Sequence, residues 1–392
     1  MISRARRVYI TAILCTFGAL YSCGHPDLNG PVSHVSSKPI FYESGRPEQL
    51  SAWNVFSIQD GKLTLNDRVV SYDLNSALFT DYAHKLRTVW LPEGSLASYD
   101  PEDTFQFPVG TIITKTFYYP RSQHSSIRDG RVTLESGDSA ERLNEGFDLD
   151  RVHLIETRLL VKRDAGWEAF PYVWNEDQNE AALKRTGDFK FLNFEEEGGA
   201  VRNFTYVVPN ANQCAGCHGT NATTRDITPI GPKARHLNRL YMYANGEQNQ
   251  LHAWAELGIL EDLTQDISVP KAAAWDNVNF PLNERARAYL DINCAHCHNT
   301  VGPADTSGLL LEHDAPLGPS FGLCKLPIAA GKGTGGRSYG IVPGSPEQSI
   351  FTYRMESEDP SIMMPELGRT LSHKEGVELI ENWIMSLDGS CP

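Results

Sequence analysis

The first half of the chain has the residue pattern of β-strands. Residues 111–119 (TIITKTFYY) are rich in β-branched and aromatic side chains, which favour strands. Residues 155–174 contain two such runs around an Asp-Ala-Gly turn at 164–166, a composition typical of a hairpin. A last run of this kind covers residues 204–208. We therefore predict a β-rich domain over residues 50–205, a stretch in which no catalytic signature appears.

Helical spacing of apolar residues takes over in the second half. Residues 283–293 (NERARAYLDIN) place three apolar side chains on one side of a helix. Short helices are also predicted at 234–243 and 250–260. A closing helix that packs against a core is predicted from four residues at helical spacing: Val377, Ile380, Ile384 and Leu387.

Two five-residue segments share one cysteine and histidine spacing, C-x-x-C-H; we call residues 214–218 the first frame and residues 294–298 the second frame. The six residues that define the frames are Cys214, Cys217, His218, Cys294, Cys297 and His298. In this pattern two thiols add to the two vinyl groups of a haem, and the adjacent histidine reaches the iron. A redox pair or a zinc site would also use C-x-x-C, but neither requires the histidine that ends both frames. The sequence therefore predicts two covalently bound haem c groups.

A methionine-proline loop follows the second frame. We predict Met364, directly before Pro365, as the sixth ligand of the second iron, because a thioether is a soft ligand that raises the potential of a haem paired with histidine. Met363 is the alternative, and Met355 is predicted to belong to the core. A helix before C-x-x-C-H, a late Met-Pro loop and a closing helix together resemble the class I cytochrome c fold, which we expect for residues 273–392.

The sequence specifies the sixth ligand of the first iron less clearly. Met242 is the only methionine between the two frames and is the candidate we name, although its apolar neighbours are equally compatible with a core role. His236 and His252 are the nearby histidines. A remote ligand such as His84 and an open position on the iron are also compatible with the sequence.

Five segments together resemble a known family. Residues 213–218, 293–299 and 343–369, and more loosely residues 77–92 and 107–120, are similar to an uncharacterised family of bacterial exported di-haem c-type cytochromes with a non-haem N-terminal domain. The resemblance extends over most of the mature chain. It implies electron transfer, with no established substrate.

The predicted fold class is multidomain, with a β-rich N-terminal domain followed by mainly α-helical cytochrome c-like haem domains. The expected segments are a signal peptide (1–22), a lipid-anchored tether (23–49), the β-rich domain (50–205), the first haem segment (206–272) and the second haem domain (273–392). Only the last two segments contain the frames.

The N-terminus has the composition of a secretory signal. Arginines precede an uncharged apolar run at residues 8–21, which is too short to span a bilayer comfortably. The run ends in a sequence similar to a bacterial lipobox, so we predict that Cys23 is lipidated and anchors an exported protein to the cell envelope, facing the periplasm. Gly24 favours the outer membrane if enterobacterial sorting rules apply. The alternative is ordinary cleavage nearby, which leaves a soluble exported protein.

The last two cysteines, Cys324 and Cys391, are an even pair in a compartment that permits disulfides, and we predict that they are bonded. Such a bond would enclose most of the C-terminal segment. Two buried free thiols are the alternative.

Charge narrows the choice of partners. The 392 residues include 49 acidic and 35 basic ones, a net charge of −14. Without residues 1–22 the count is 49 acidic and 32 basic, a net charge of −17. This argues against nucleic acid, which needs a basic surface, and predicts periplasmic or membrane redox proteins with basic docking faces.

The predicted function is one-electron transfer by two haems, with no catalytic residue assigned. The alternative is a di-haem peroxidase-like enzyme in which the first haem has an open distal site. A third hypothesis, compatible with the first, is that the β-rich domain docks a partner or a glycan while the haems supply electrons.

Overall fold

The computed structural model describes residues 37–121, 130–133, 147–195, 199–220, 223–224, 226–261, 263, 268–328 and 330–392. The predicted signal peptide, Cys23 and the first part of the predicted tether lie outside these described residues.

Twelve of the fourteen described strands precede residue 209, and all six described α-helices follow residue 210, with a hairpin at residues 240–249 among them. The described strands are β1 (Phe56–Gln59), β2 (Lys62–Leu65), β3 (Val70–Tyr72), β4 (His84–Trp90), β5 (Ile112–Pro120), β6 (Arg131–Thr133), β7 (Phe147–Asp148), β8 (Val152–Arg163), β9 (Gly166–Trp174), β10 (Ala181–Leu183), β11 (Asp188–Glu195), β12 (Val201–Val208), β13 (Leu240–Tyr243) and β14 (Gly246–Asn249). The described helices are α1 (Ala211–His218), α2 (Ala234–Leu237), α3 (Gln250–Glu256), α4 (Leu282–Leu290), α5 (Ile350–Glu356) and α6 (Lys374–Met385).

The largest sheet has six antiparallel strands in the order β10-β9-β8-β5-β4-β3. The hairpin predicted around residues 164–166 is present, since the register of β8 and β9 pairs Arg163 with Gly166. The strand predicted at 111–119 is also present as β5, which pairs with β4 on one side and β8 on the other. Smaller sheets join β1-β2-β7, β12-β11-β6 and β13-β14.

Two apolar clusters cover one face of β5 at opposite ends of the strand. Ile113 packs with Trp254 of α3 in the first cluster. Phe117 packs with Phe194 of β11 in the second cluster. Because alternate residues of a strand point to the same side, Lys115 lies on this face between the two clusters. The interval between the clusters therefore presents a charged side chain.

The predicted fold class, with mainly α-helical cytochrome c-like domains, is wrong. Among the described residues as a whole, strand residues outnumber helical residues, at 29% against 21%. The six described helices are only 4 to 12 residues long. Glycine and proline recur between residues 302 and 346 and interrupt helical hydrogen bonding, so single turns of 3-10 helix form there instead. Within the described ranges, the helices are too short and too polar to cross a membrane.

The helix predicted at residues 234–243 shows why the prediction failed. Only α2 forms, and the chain then turns into the β13-β14 hairpin, which pairs Tyr243 with Gly246. The aromatic residues of β13 favour a strand, and Asn245-Gly246 is a strong hairpin signal. Local turn chemistry therefore overrides the helical spacing of the apolar residues.

Contacts between distant parts of the sequence replace the separate domains of the predicted fold class. Residues Ser37–Pro392 form one compact unit. The carboxylate of Asp81, only 2% exposed, accepts hydrogen bonds from the backbone N–H groups of Thr370 and Leu371, both at 2.7 Å. The Thr370 hydroxyl donates to the same carboxylate at 3.1 Å. The segment before β4 therefore holds the chain that leads into α6.

We predict that Asp81→Ala destabilises the fold by about 2–5 kcal/mol, because two buried N–H groups lose their acceptor. Urea unfolding measures the loss. Asp81→Asn keeps one acceptor oxygen and should lose less, and Asp177→Ala, at an exposed position, is the control. Equal stability of Asp81→Ala and the control would contradict the prediction.

Candidate functional site

The first frame lies on a short helix that was not predicted from the sequence. Asn210 caps α1: its side chain accepts from the N–H of Gln213, and the Gln213 side chain accepts from the N–H of Asn210, both at 2.9 Å. This capping box was a usable signal. Helical spacing then places Cys214, Cys217 and His218 on one side of α1.

The second frame follows α4 directly. The helix continues as one π turn, Asp291–Ala295, which contains the first cysteine of the frame. The N–H groups of Cys297 and His298 both donate to the carbonyl of Cys294, at 3.1 and 2.9 Å. The second frame is therefore also wound into a turn, and the helix predicted at 283–293 is present in this modified form.

The histidines of the two frames are held in the same way. Nδ1 of His218 lies 2.8 Å from the carbonyl oxygen of Thr228, which can only accept, so Nδ1 carries the proton. Nδ1 of His298 lies 3.0 Å from the hydroxyl of Ser307, whose own proton is donated to the carbonyl of Ala304 at 2.7 Å. Burial lowers the pKa of both histidines to about 4. Each is therefore a neutral imidazole whose Nε2 is free to bind a metal.

The two frames lie side by side. The Cys297 thiol donates a hydrogen bond to the carbonyl oxygen of Gly216 at 3.8 Å and lies next to the Cys217 thiol. The interaction between the two thiols lowers the pKa of Cys217 and raises that of Cys297. The nearby His296 side chain also lowers the pKa of Cys217. A Cβ at Gly216 would lie 2.9 Å from a methyl carbon of Leu367, so the first frame packs closely on the methionine-proline loop.

The second frame faces a cavity of about 590 Å³. Cys294, His298 and Met364 line it, and apolar side chains such as Leu311 and Phe351 form much of the wall. This volume is within the range of about 300–1,000 Å³ that holds cofactor-sized ligands. The structure therefore brings together at this cavity three of the four residues that the sequence assigned to the second haem, and the fourth, Cys297, joins them at a cavity of about 160 Å³.

The backbone of Met364 is fixed on both sides. Its N–H donates to the carbonyl of Arg354, and its carbonyl accepts from the guanidinium of Arg369, both at 2.9 Å. Met363 is 5% exposed, and Met355 is 9% exposed within the core around α4 and α6. The geometry favours Met364 over Met363, because Met364 alone of the two lines the cavity.

The first frame borders four cavities: Gly216 and Cys217 line the one of about 160 Å³ together with the second frame, and the other three measure about 100, 80 and 470 Å³. His218 lines these last three, and Cys214 lines the two smaller of them. Of the proposed sixth ligands, His236 borders the cavity of about 100 Å³. Met242 is 44% exposed on β13 and lines none of the three, so the structure does not bring it to the site.

The remaining two histidines are also placed away from the first frame. His252 is exposed on α3, and His84 stacks on Tyr118 in the large sheet. Neither lines the three cavities that His218 borders.

A buried ion pair connects the region after the first frame to the second frame. Arg235 donates two hydrogen bonds to the Asp291 carboxylate, both at 3.0 Å, and Nε2 of His236 lies 3.1 Å from it. Asp291 and Arg235 are 5% and 4% exposed. Burial alone would raise the pKa of Asp291, but the His236 hydrogen bond and the Arg235 charge hold it well below its usual range.

The donor set fits the predicted cofactor. Each frame offers two free thiols and one neutral imidazole beside a cavity, which are the groups that a covalently attached haem uses. Across the described ranges, no group of three or more His, Cys, Asp and Glu side chains is placed to hold a metal ion.

The C-terminal cysteines are bonded. The sulfur atoms of Cys324 and Cys391 lie 2.12 Å apart, a disulfide, in agreement with the predicted pairing. The bond ties the end of the chain to the segment that follows the second frame.

No protein-family model, curated protein or solved structure matches the chain.

We predict that Asp291→Asn lowers the free energy of unfolding by about 3–5 kcal/mol at neutral pH, because it leaves Arg235 buried without a counter-charge. The folded state depresses the pKa of Asp291 below the unfolded value of about 3.9. The ion pair therefore contributes fully above that value, and its contribution is lost as the pH falls below it.

Urea unfolding between pH 7 and pH 3 tests this. The unchanged protein should lose more stability than Asp291→Asn as the pH falls below about 4. Asp314→Asn, at a carboxylate whose side chain is 74% exposed, is the control. Parallel pH curves for the unchanged protein and Asp291→Asn would contradict the assigned role.

Proposed function

We propose that the chain is a di-haem c-type cytochrome that transfers single electrons in the bacterial cell envelope. The matched state of His218 and His298 carries the proposal. In each frame Nδ1–H is donated to a fixed oxygen, which leaves Nε2 free, and two thiols lie on the preceding turn. Such a matched arrangement at two frames supports two equivalent attachment sites.

The chain's own residues have distinct tasks in this proposal. The four thiols hold the two cofactors, and Thr228 and Ser307 orient the histidine rings through Nδ1. Arg354 and Arg369 fix the backbone of Met364, the sixth ligand on the second site. Bound haem supplies the redox chemistry, one electron per iron.

The closeness of the frames supports electron exchange between the two sites. Groups attached at Cys217 and Cys297 would be neighbours, since these two thiols line the same cavity of about 160 Å³. Electron tunnelling weakens steeply with distance, so neighbouring sites favour fast internal transfer. An electron that enters at one frame can therefore leave at the other.

The proposed location is the cell envelope, with Cys23 as the lipid anchor and the outer membrane favoured. The Cys324–Cys391 disulfide supports an oxidising compartment. The strong negative charge favours redox partners with basic docking faces, whose association would weaken as salt is raised.

The position of Met242 supports a second candidate function. Because this methionine is exposed on β13, it would not complete the first site. A first haem with an open position would be peroxidase-like. Electron paramagnetic resonance of the oxidised protein, before and after peroxide, separates the two functions. Two low-spin haems that ignore peroxide support a carrier, and one high-spin haem that reacts supports the enzyme.

We predict two covalent haems per chain after expression of the full chain in a host with c-haem maturation. Mass spectrometry and the pyridine haemochrome spectrum count them. A double variant, Cys214→Ala with Cys217→Ala, should attach one haem. An unchanged chain that carries no covalent haem under these conditions would overturn the proposed function.

We predict that Met364→Leu lowers the midpoint potential of one haem by on the order of 0.1 V, a fraction of the roughly 0.8 V that axial ligands span. Loss of the thioether should also remove its absorption band near the red end of the visible spectrum. Met363→Leu is the matched control, since this neighbour is buried outside the cavity. Equal effects of the two variants would contradict the assignment of Met364.

A further inference from the structure

A row of positive charge crosses the large sheet beneath the first frame. The strand registers place Arg87 opposite Lys115, and Lys115 opposite Arg158. Residues directly opposite on antiparallel strands point to the same face, so the three cationic side chains are neighbours on β4, β5 and β8. We call these three residues the cationic row. Like charges in such positions destabilise a sheet unless anions lie beside them.

Two members of the cationic row have a carboxylate partner. Arg87 is 2.7 Å from Asp73, and the Nε of Arg158 is 2.8 Å from Glu156. Lys115, in the middle, forms no ion pair with the residues that the structure describes. Its ammonium group lies 5.3 Å from the centre of the Phe117 ring. The row therefore has an excess of positive charge at its centre.

The lowered pKa of Lys115 is consistent with a missing anion. Burial, together with the charges of Arg158 and Arg87, lowers the pKa of Lys115 to about 7. Glu156 opposes this shift only in part. An anion beside the ammonium group would reverse the effect.

The cationic row faces the first frame. All three residues line the cavity of about 100 Å³ that Cys214 and His218 also line. Lys115 and Arg158 line the neighbouring cavity of about 80 Å³ as well, again with Cys214 and His218. Lys115 occupies the interval on β5 between the two apolar clusters. A group bound at the first frame would therefore lie beside the cationic row.

We propose that Lys115, next to the Arg158–Glu156 pair, binds a carboxylate group of the haem attached at the first frame. The proposal rests on the proposed function. A covalently held haem keeps its carboxylates beside the row in every molecule, whereas a free anion would leave the positive charge uncompensated whenever it dissociates. A guanidinium and an ammonium are the side chains that pair most strongly with carboxylate.

The test compares midpoint potentials of the holoprotein in Lys115→Met, Lys115→Arg and Lys85→Met. Lys85 is the matched control, because its ammonium group lies 6.0 Å from the same Phe117 ring but it does not line the two cavities. Haem content is counted first, so a chain without covalent haem counts against the proposed function and not against this pairing. The haem that does not respond to Met364→Leu is taken as the first.

Loss of the ammonium leaves a haem carboxylate uncompensated and stabilises ferric iron. We expect Lys115→Met to keep both haems and shift the ferric to ferrous equilibrium of the first one at least tenfold towards ferric, 59 mV for a one-electron couple. Lys115→Arg should restore most of the shift, and Lys85→Met should produce much less. Unchanged potentials in Lys115→Met, or an equal shift in Lys85→Met, would overturn the proposal.

Two further outcomes also count against it. If added azide or nitrite changes the spectrum of the first haem in the unchanged protein but not in Lys115→Met, the row serves an exogenous anion. If Lys115→Met turns the first haem from low spin to high spin and Lys115→Arg does not restore it, the Lys115 nitrogen is an iron ligand. Unchanged spin state and no response to these anions support the carboxylate pairing.

Discussion

The buried ion pair between Asp291 and Arg235 fixes the second frame against α2. Asp291 lies in the π turn that contains Cys294, and Arg235 belongs to α2, which follows the first frame. Removing such charges from water costs free energy, and the cost is offset only when every lone pair is satisfied. Here the carboxylate also receives the N–H of His313 at 3.3 Å and faces His236. These demands leave the second frame little freedom to rotate against α2.

A second buried carboxylate, Asp81, holds the methionine-proline loop in place, as Asp291 holds the second frame. It binds the backbone just after Arg369, whose guanidinium in turn holds the carbonyl of Met364. The loop is thus fixed from the sheet side, while α1 packs on it through Gly216. The second frame and the methionine-proline loop, which both line the cavity of about 590 Å³, are therefore held by residues far away in the sequence. Such contacts explain why the described chain forms one unit.

The features that could be predicted from the sequence are those set by neighbouring residues. The spacing of each frame, the turn at 164–166 and the even cysteine pair depend on local chemistry or on simple counting. The helix predicted at 234–243 was wrong because the apolar spacing was given more weight than the turn signal at Asn245-Gly246. The single unit could not be predicted, because the contact of Asp81 with Leu371 joins residues 290 positions apart. The spacing of apolar residues along the sequence carries no information about a contact between such distant positions.

The cationic row illustrates the same limit for the site. Its three members are separated by 28 and 43 positions and become neighbours only through the pairing of β4, β5 and β8. The chain as a whole has a net charge of −14, while this part of the interior is positive. The two charge distributions can serve different purposes, because exposed charge acts on approaching partners and is screened by salt, whereas buried charge acts on a bound group and is screened far less. Partner choice and the electron affinity of the first site can therefore be set independently by different residues of one chain.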